Sequence, residues 1–127
     1  MLLTIIFVSL SLQSFTASSE NSLENLKTAQ TKLRGEIKEM IKNPTCSQKS
    51  DCAVLELGND GLCGNPTDFW AYSKKTVDSA KLDKLRQMER TLAHKIQQST
   101  KKQGDMMMGA CGFKTRIADC VEGLCKL

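Results

Sequence analysis

The C-terminal stretch IADCVEGLCKL, residues 117–127, decides the fold because it reads as a β-hairpin with one cysteine in each arm. Glu122-Gly123 forms the two-residue loop, and Gly supplies the positive φ that such a loop needs. In that register Cys120 lies opposite Cys125. We therefore expect a short antiparallel strand pair at this end of the chain.

Six cysteines among 127 residues are typical of an exported chain rather than a cytosolic one. They have no C-x-x-C redox motif and only one pair, C-x4-C, close to zinc-ligand spacing. We expect structural disulfides and no metal site, with at least one bridge across the long interval between Cys63 and Cys111. Such a bridge would join the two strand-bearing halves. The six are Cys46, Cys52, Cys63, Cys111, Cys120 and Cys125.

The first of two amphipathic segments predicts a helix over about 22–42. Asn21 is its expected N-cap, with Glu24 completing a capping box, and Pro44 limits the other end. Its apolar stripe could pack on the rest of the domain or form a homotypic coiled coil. The stripe consists of Leu23, Leu26, Leu33, Ile37 and Met40, with Gln30 in the gap.

The second amphipathic segment predicts a helix over about 78–102. Thr76 or Asp78 can cap its start, and Gly104 marks its end. We expect this helix to pack on the first helix, on a sheet, or on both. Its stripe consists of Leu82, Leu85, Met88 or Glu89, Leu92 and Ile96.

Between the helices the periodicity changes to that of strands. Residues 53–57 read as one strand, 58–61 as a turn, and Leu62-Cys63 as the start of a returning strand. The whole pattern predicts an α+β fold, with two amphipathic helices and a small antiparallel sheet stapled by disulfides. We expect residues 19–127 to form this single domain.

The N-terminal residues predict a signal peptide for export. Residues 2–12, LLTIIFVSLSL, have the length of a signal-peptide apolar core and are too short for a spanning helix. We expect cleavage near residue 18, so that 1–18 is a signal peptide and the protein is periplasmic or secreted, with no membrane span. The net charge of +4 is too weak and unclustered to indicate a nucleic-acid partner.

Catalytic motifs are absent from the sequence. There is no G-x-S-x-G elbow, and the single histidine, His94, lies among polar helical residues. We therefore expect no enzyme and no cofactor. The alternative is a small secreted hydrolase that uses a pair of carboxylates. The acids near the strand and turn are Asp51, Glu56, Asp60 and Asp68.

The segment CGNPTDFWAYS, residues 63–73, holds the only Trp and the only Tyr of the chain. Phe69, Trp70 and Tyr72 on a loop would form a recognition surface, because aromatic side chains give large contact areas at low entropic cost. The other interpretation is that they fill the core where this segment enters the second helix. The sequence leaves both open.

Residues 46–125 contain a spaced set of cysteines, glycines and aromatic residues, namely Cys46, Asp51-Cys52, Gly58, Cys63-Gly64, Pro66, Phe69-Trp70, Tyr72-Ser73, Leu82, Leu85, Cys111, Cys120, Gly123 and Cys125. This pattern resembles that of a group of small exported Cys-rich bacterial proteins of uncharacterised function. Many members have Gly where this chain has Asn65. The resemblance implies export and disulfides and assigns no catalytic residue. With the composition, it leads us to expect a binding or interaction protein that is inhibitor-like, envelope-associated or host-interacting, with a protein partner.

Overall fold

A computed structural model describes residues 22–100, 111–112 and 115–127. Two helices and two antiparallel hairpins make up the described part of the chain, which confirms the disulfide-stapled α+β fold. The expected signal peptide and the Gly104 helix end lie outside the described residues. The elements are α1 (Leu23–Ile41), β1 (Cys52–Leu57), β2 (Asp68–Ser73), α2 (Ser79–Thr100), β3 (Asp119–Val121) and β4 (Leu124–Lys126), with a 3-10 turn at Lys49–Asp51.

Helix α1 begins one residue later than expected. Ser22 is its N-cap, and the Ser22 hydroxyl accepts from the Asn25 backbone N–H at 3.2 Å. The prediction of Asn21 as N-cap is therefore wrong, because the Ser22 side chain already binds the N–H that a cap must satisfy. The buried stripe of α1 consists of Leu26, Leu33, Ile37 and Ile41.

Helix α2 begins after Asp78, whose carboxylate accepts from the N–H groups of Ala80 and Lys81 at 3.1 and 3.3 Å. Of the two candidate caps, Thr76 and Asp78, it is therefore Asp78 that caps the helix. At the ambiguous stripe position the inward residue is Glu89, which is 0% exposed, whereas Met88 is 49% exposed. A buried acid therefore takes a place in the helix interface where an apolar residue is the usual occupant.

Strand β1 pairs with β2 with Leu55 opposite Trp70, so the returning strand starts at residue 68. The prediction that it starts at Leu62-Cys63 is wrong. Asp60 Oδ1 accepts from the N–H groups of Leu62, Cys63 and Gly64, and these bonds fold the segment into a compact loop. A strand pairing of the same backbone would need those N–H groups.

The core lies between the helices and one face of the β1–β2 hairpin. Since the apolar stripe of α1 is buried there, the coiled-coil interpretation of that stripe is excluded. Cys52 lies on the opposite face from Leu55 and Leu57, by strand alternation, and joins this hairpin to the β3–β4 hairpin through Cys125. The central core residues are Leu33, Ile37, Ile41, Leu55, Leu57 and Leu82.

The expected C-terminal hairpin is confirmed, with Cys120 opposite Cys125 and positive φ at both Glu122 and Gly123. Its cysteines bond elsewhere, to Cys46 and Cys52 respectively. The third bridge joins Cys63 to Cys111, so all three bridges cross the long interval and confirm that expectation. Six bonded cysteines suit an oxidising compartment.

The outer edges of this hairpin differ. Along β4, the Cys125 N–H donates to the Pro44 carbonyl at 2.8 Å, and the Cys46 N–H donates to the Gly123 carbonyl at 2.9 Å. On β3, the Cys120 N–H donates to the side chain of its neighbour Asp119 at 2.8 Å. Among the described helices, none has the length and apolar character to cross a membrane.

Candidate functional site

A fully buried carboxylate lies between the two helices. Glu89 Oε1 accepts from Gln30 Nε2 and from Arg34 Nε, each at 3.0 Å, while Glu89 Oε2 accepts from the Gly58 N–H at 2.8 Å. Both carboxylate oxygens are therefore satisfied by the two helices and the end of β1. A buried charge is tolerated when it is paired and hydrogen-bonded in this way.

The sequence contained a signal for this cluster that periodicity alone did not resolve. Gln30 fills the polar gap in the α1 stripe, and Glu89 is one of two candidates for a stripe position in α2. Two polar residues on facing apolar stripes indicate a buried hydrogen bond, because neither can be buried alone without cost. Arg34 had no such signal and was missed.

Arg34 extends the cluster from the interior to the surface. Its guanidinium also pairs with Asp68 Oδ2 at 3.0 Å, and it lies 5.9 Å from the centre of the Trp70 ring. Lys38, one helical turn further along α1, places its ammonium 5.2 Å from the same ring. Two cations therefore lie at cation–π distance from one indole. We call Arg34, Lys38, Asp68 and Trp70 the Trp70 site.

The Trp70 site is packed against the core on one side and exposed to solvent on the other. Trp70 is half-buried and packs against the core, while the Arg34 and Asp68 side chains are 25% and 44% exposed. Lys38 is exposed and contacts the Trp70 ring. The site thus presents part of an indole, an ammonium and a partly paired carboxylate to solvent.

The structure does not bring the three predicted aromatic residues into one patch. Trp70 and Tyr72 lie on the face of β2 that packs on the core, so they partly fit the core interpretation. Phe69 lies on the opposite face, by strand alternation, with the Arg116 guanidinium 5.8 Å from its ring. All three belong to strand β2, not to a loop.

The carboxylate of Asp51 holds the loop at residues 47–51 together by hydrogen bonds. Hydrogen bonds lower its pKa, chiefly from the Ser47 N–H, against the effect of burial and with help from Lys75. The Ser47 and Gln48 N–H groups donate at 2.8 and 3.1 Å, and Lys75 Nζ lies 3.1 Å away. This carboxylate is therefore held ionised by the loop that it organises.

The acid Asp60 has the same kind of role. Burial, the largest single influence, raises its pKa, but together the N–H donors of residues 62–65 outweigh it and lower the pKa overall. Asp68 pairs with Arg34, and Glu56 lies opposite Phe69 on the face away from the helices. The four acids are thus spread over separate positions rather than converging on one cleft, and His94 is exposed.

The sulfur atoms of Cys46, Cys52 and Cys120 lie within 4.8 Å of one another. All three are bonded in the Cys46–Cys120 and Cys52–Cys125 bridges. Metal ligation by cysteine requires a thiolate, which a disulfide sulfur does not offer. The oxidised cluster is consequently a pair of adjacent bridges.

The Trp70 site is the place where the described residues combine rigidity, exposure and charge. It joins one predicted surface residue, Trp70, to two cations that the sequence did not single out. No family model, no curated protein and no solved structure matches this chain.

Proposed function

We propose that the protein is exported and acts without catalysis, by binding a protein partner through the Trp70 site. The observation that carries this proposal is the half-buried indole of Trp70, lying beside the cations of Arg34 and Lys38. Trp and Arg are the residues most enriched among those that dominate binding energy at protein interfaces.

The rigidity of the site supports binding. Arg34 is bonded to both Glu89 and Asp68, so its guanidinium is held in place before a partner arrives. Side chains that are already ordered lose less entropy on association than free ones. The interior cluster therefore favours a preformed recognition surface.

The exposed charges define the chemistry of the partner. The Lys38 ammonium is solvent-exposed and suits an acidic side chain of the partner, while the exposed part of the Trp70 ring suits an apolar one. Inhibitor-like, envelope-associated and host-interaction roles all use such contacts. The proposal also includes a bacterial origin and export directed by a signal peptide, residues 1–18, that is then cleaved off.

The carboxylates favour binding over the hydrolase alternative. A carboxylate hydrolase needs an acid with a raised pKa near a second carboxylate. Asp51 and Asp60 have lowered pKa values, because backbone N–H groups stabilise their charged forms. Asp68 and Glu89 share the Arg34 guanidinium.

Site-specific photo-crosslinking in the producing cells tests the proposed surface. A photo-reactive phenylalanine derivative replaces Lys38 in one variant and Lys84, on the exposed face of α2, in the control. We expect a discrete cross-linked protein from position 38 and none from position 84. Cross-links at neither position, or equally at both, contradict the proposal.

The captured partner allows a direct affinity measurement. Trp70 is the only Trp of the chain, so its emission reports specifically on this site. We expect partner binding to change that emission, and Lys38→Glu to weaken binding about tenfold or more. Lys84→Glu is the matched charge reversal and should leave the affinity unchanged. N-terminal sequencing of the extracellular or periplasmic form, expected to start at residue 19, tests export separately.

A further inference from the structure

Two of the three bridges lie side by side at the base of the β3–β4 hairpin. The Cys52 sulfur is bonded to Cys125, and it also lies within 4.8 Å of both sulfurs of the Cys46–Cys120 bridge. Thiol–disulfide exchange proceeds by in-line attack of a thiolate on a disulfide sulfur. Little movement separates these sulfurs from that arrangement.

The sulfur positions and the hairpin register allow a second pairing of the same four cysteines. Cys120 and Cys125 are directly opposite in the hairpin, and their N–H groups donate to Asp119 and Pro44 rather than to each other. Opposite residues of this kind have Cα atoms about 4.5 Å apart, within the range that a disulfide spans. The sulfurs of Cys46 and Cys52 are also close. The local pairing Cys46–Cys52 with Cys120–Cys125 is thus within reach.

We propose that these four cysteines form a thiol–disulfide exchange site, at which a small external thiol converts the native bridges into the two local bridges. Cys46, Cys52 and Cys120 are half-buried, whereas Cys125 is only 4% exposed. Entry at the Cys46–Cys120 bridge is therefore favoured.

The exchange balances without a net oxidant or reductant. The external thiolate attacks the Cys120 sulfur, forms a mixed disulfide there and releases the Cys46 thiolate. Cys46 then attacks the Cys52 sulfur, which forms Cys46–Cys52 and releases the Cys125 thiolate. Cys125 finally attacks the Cys120 sulfur and expels the external thiolate unchanged.

The exchange changes what the bridges connect. The native bridges span sequence separations of 74 and 73 residues and fasten the hairpin to the region around β1. The local bridges close only short loops, within residues 46–52 and 120–125. The hairpin therefore loses both covalent links to the region around β1, and its hydrogen bonds to residues 44–46 remain. The Cys63–Cys111 bridge is outside the four-sulfur group and stays intact.

Tryptic peptides distinguish the two pairings. Cleavage at Lys and Arg gives 43–49 with Cys46, 50–74 with Cys52 and with Cys63, which stays bonded to Cys111 in either pairing, and 117–126 with both hairpin cysteines. In the native pairing, 117–126 is bonded to both other peptides. In the local pairing, 117–126 is released with an internal disulfide, two hydrogens lighter than its reduced form, and 43–49 is bonded to 50–74.

The experiment incubates the full oxidised protein with substoichiometric reduced glutathione, blocks all free thiols to stop the exchange, and then digests the denatured protein with trypsin. We expect released 117–126 with its internal bond to appear only with glutathione. The double variant Cys63→Ser/Cys111→Ser should behave in the same way. If 117–126 remains bonded to both peptides, or is found only in reduced form, the proposal is overturned.

A single variant tests the proximity directly. Cys125→Ser leaves Cys52 without its partner and beside the Cys46–Cys120 bridge. We expect a measurable share of molecules with Cys52 bonded to Cys46 or Cys120. A sole Cys46–Cys120 bridge with free Cys52 in this variant would overturn the proposal even if the other variants failed to fold.

Discussion

Arg34 of α1 and Glu89 of α2 form an ion pair in which the carboxylate is fully buried and the guanidinium extends to the surface. The pair crosses the interface between the helices and also fixes Arg34 beside Trp70. Breaking a buried pair by removing one partner is costly, whereas replacing both by apolar residues is often neutral. The pair therefore connects stability with the geometry of the proposed binding surface.

We predict that Glu89→Ala lowers the free energy of unfolding by about 3–5 kcal/mol, because Arg34, Gln30 and the Gly58 N–H lose their acceptor. Urea titration followed by Trp70 fluorescence measures this loss. The double variant Arg34→Met/Glu89→Met should lose less than Glu89→Ala, because it removes the unpaired guanidinium and leaves only the Gln30 amide and the Gly58 N–H without an acceptor. Equal losses in the single and double variants would contradict the buried pairing.

We predict that Gly58→Ala lowers the free energy of unfolding by about 2 kcal/mol or more. Gly58 has φ of 79°, and an added Cβ would overlap the Thr67 hydroxyl. Gly35→Ala is the matched control, because it lies within α1 with open space around an added Cβ. Better helix propensity should make Gly35→Ala stabilising by about 0.5–1 kcal/mol. Thermal or urea unfolding of both variants should give opposite signs.

We predict an acid-dependent loss of stability from Asp51. Its folded-state pKa lies below 3.8, the ordinary value of an aspartate, so its stabilising effect is fully present above that value and is lost as pH falls through the folded pKa. The stability difference between wild type and Asp51→Asn should therefore shrink below pH 3.8. Urea midpoints from pH 7 to pH 2 measure it. A constant difference across this range would show that the charge of Asp51 is not involved.

We predict that removing either long-range bridge, by Cys46→Ser/Cys120→Ser or Cys63→Ser/Cys111→Ser, costs about 2–5 kcal/mol. The two bridges span sequence separations of 74 and 48 residues, and the entropic cost of closing a loop grows only slowly with its length. The two losses should therefore be similar. Thiol alkylation without reduction should modify no cysteine in the wild type, and any labelled cysteine would contradict complete bridging.

The features that local sequence determines were predicted well. Both helices were expected to within about two residues wherever the structure describes their ends, because apolar spacing and capping residues act over short distances. The Cys120–Cys125 register followed from a two-residue loop. The bridges across the long interval were expected, but their pairing was not, because pairing depends on which loops the fold brings together.

The errors arose where side chains act on distant or irregular backbone. Leu62-Cys63 has the composition of a strand, yet the Asp60 carboxylate binds that backbone and displaces the strand to residue 68. Hydropathy favours Met88 over Glu89 as the buried residue, so it could not have identified Glu89 as the one that faces inward. Arg34 is what makes a buried Glu89 tolerable, and it lies 55 residues away in the chain.

The side chain of Asp119 has a consequence for self-association. Strand β3 is the outer strand of its hairpin, and the neighbouring Val121 and Leu124 are 44% and 40% exposed. An incoming strand from another molecule would need the Cys120 N–H as a donor, but Asp119 already occupies it and adds a negative charge. Unpaired sheet edges are commonly protected against aggregation by charges of this kind. A hairpin with an apolar outer face is thereby kept from acting as a template for β-sheet growth.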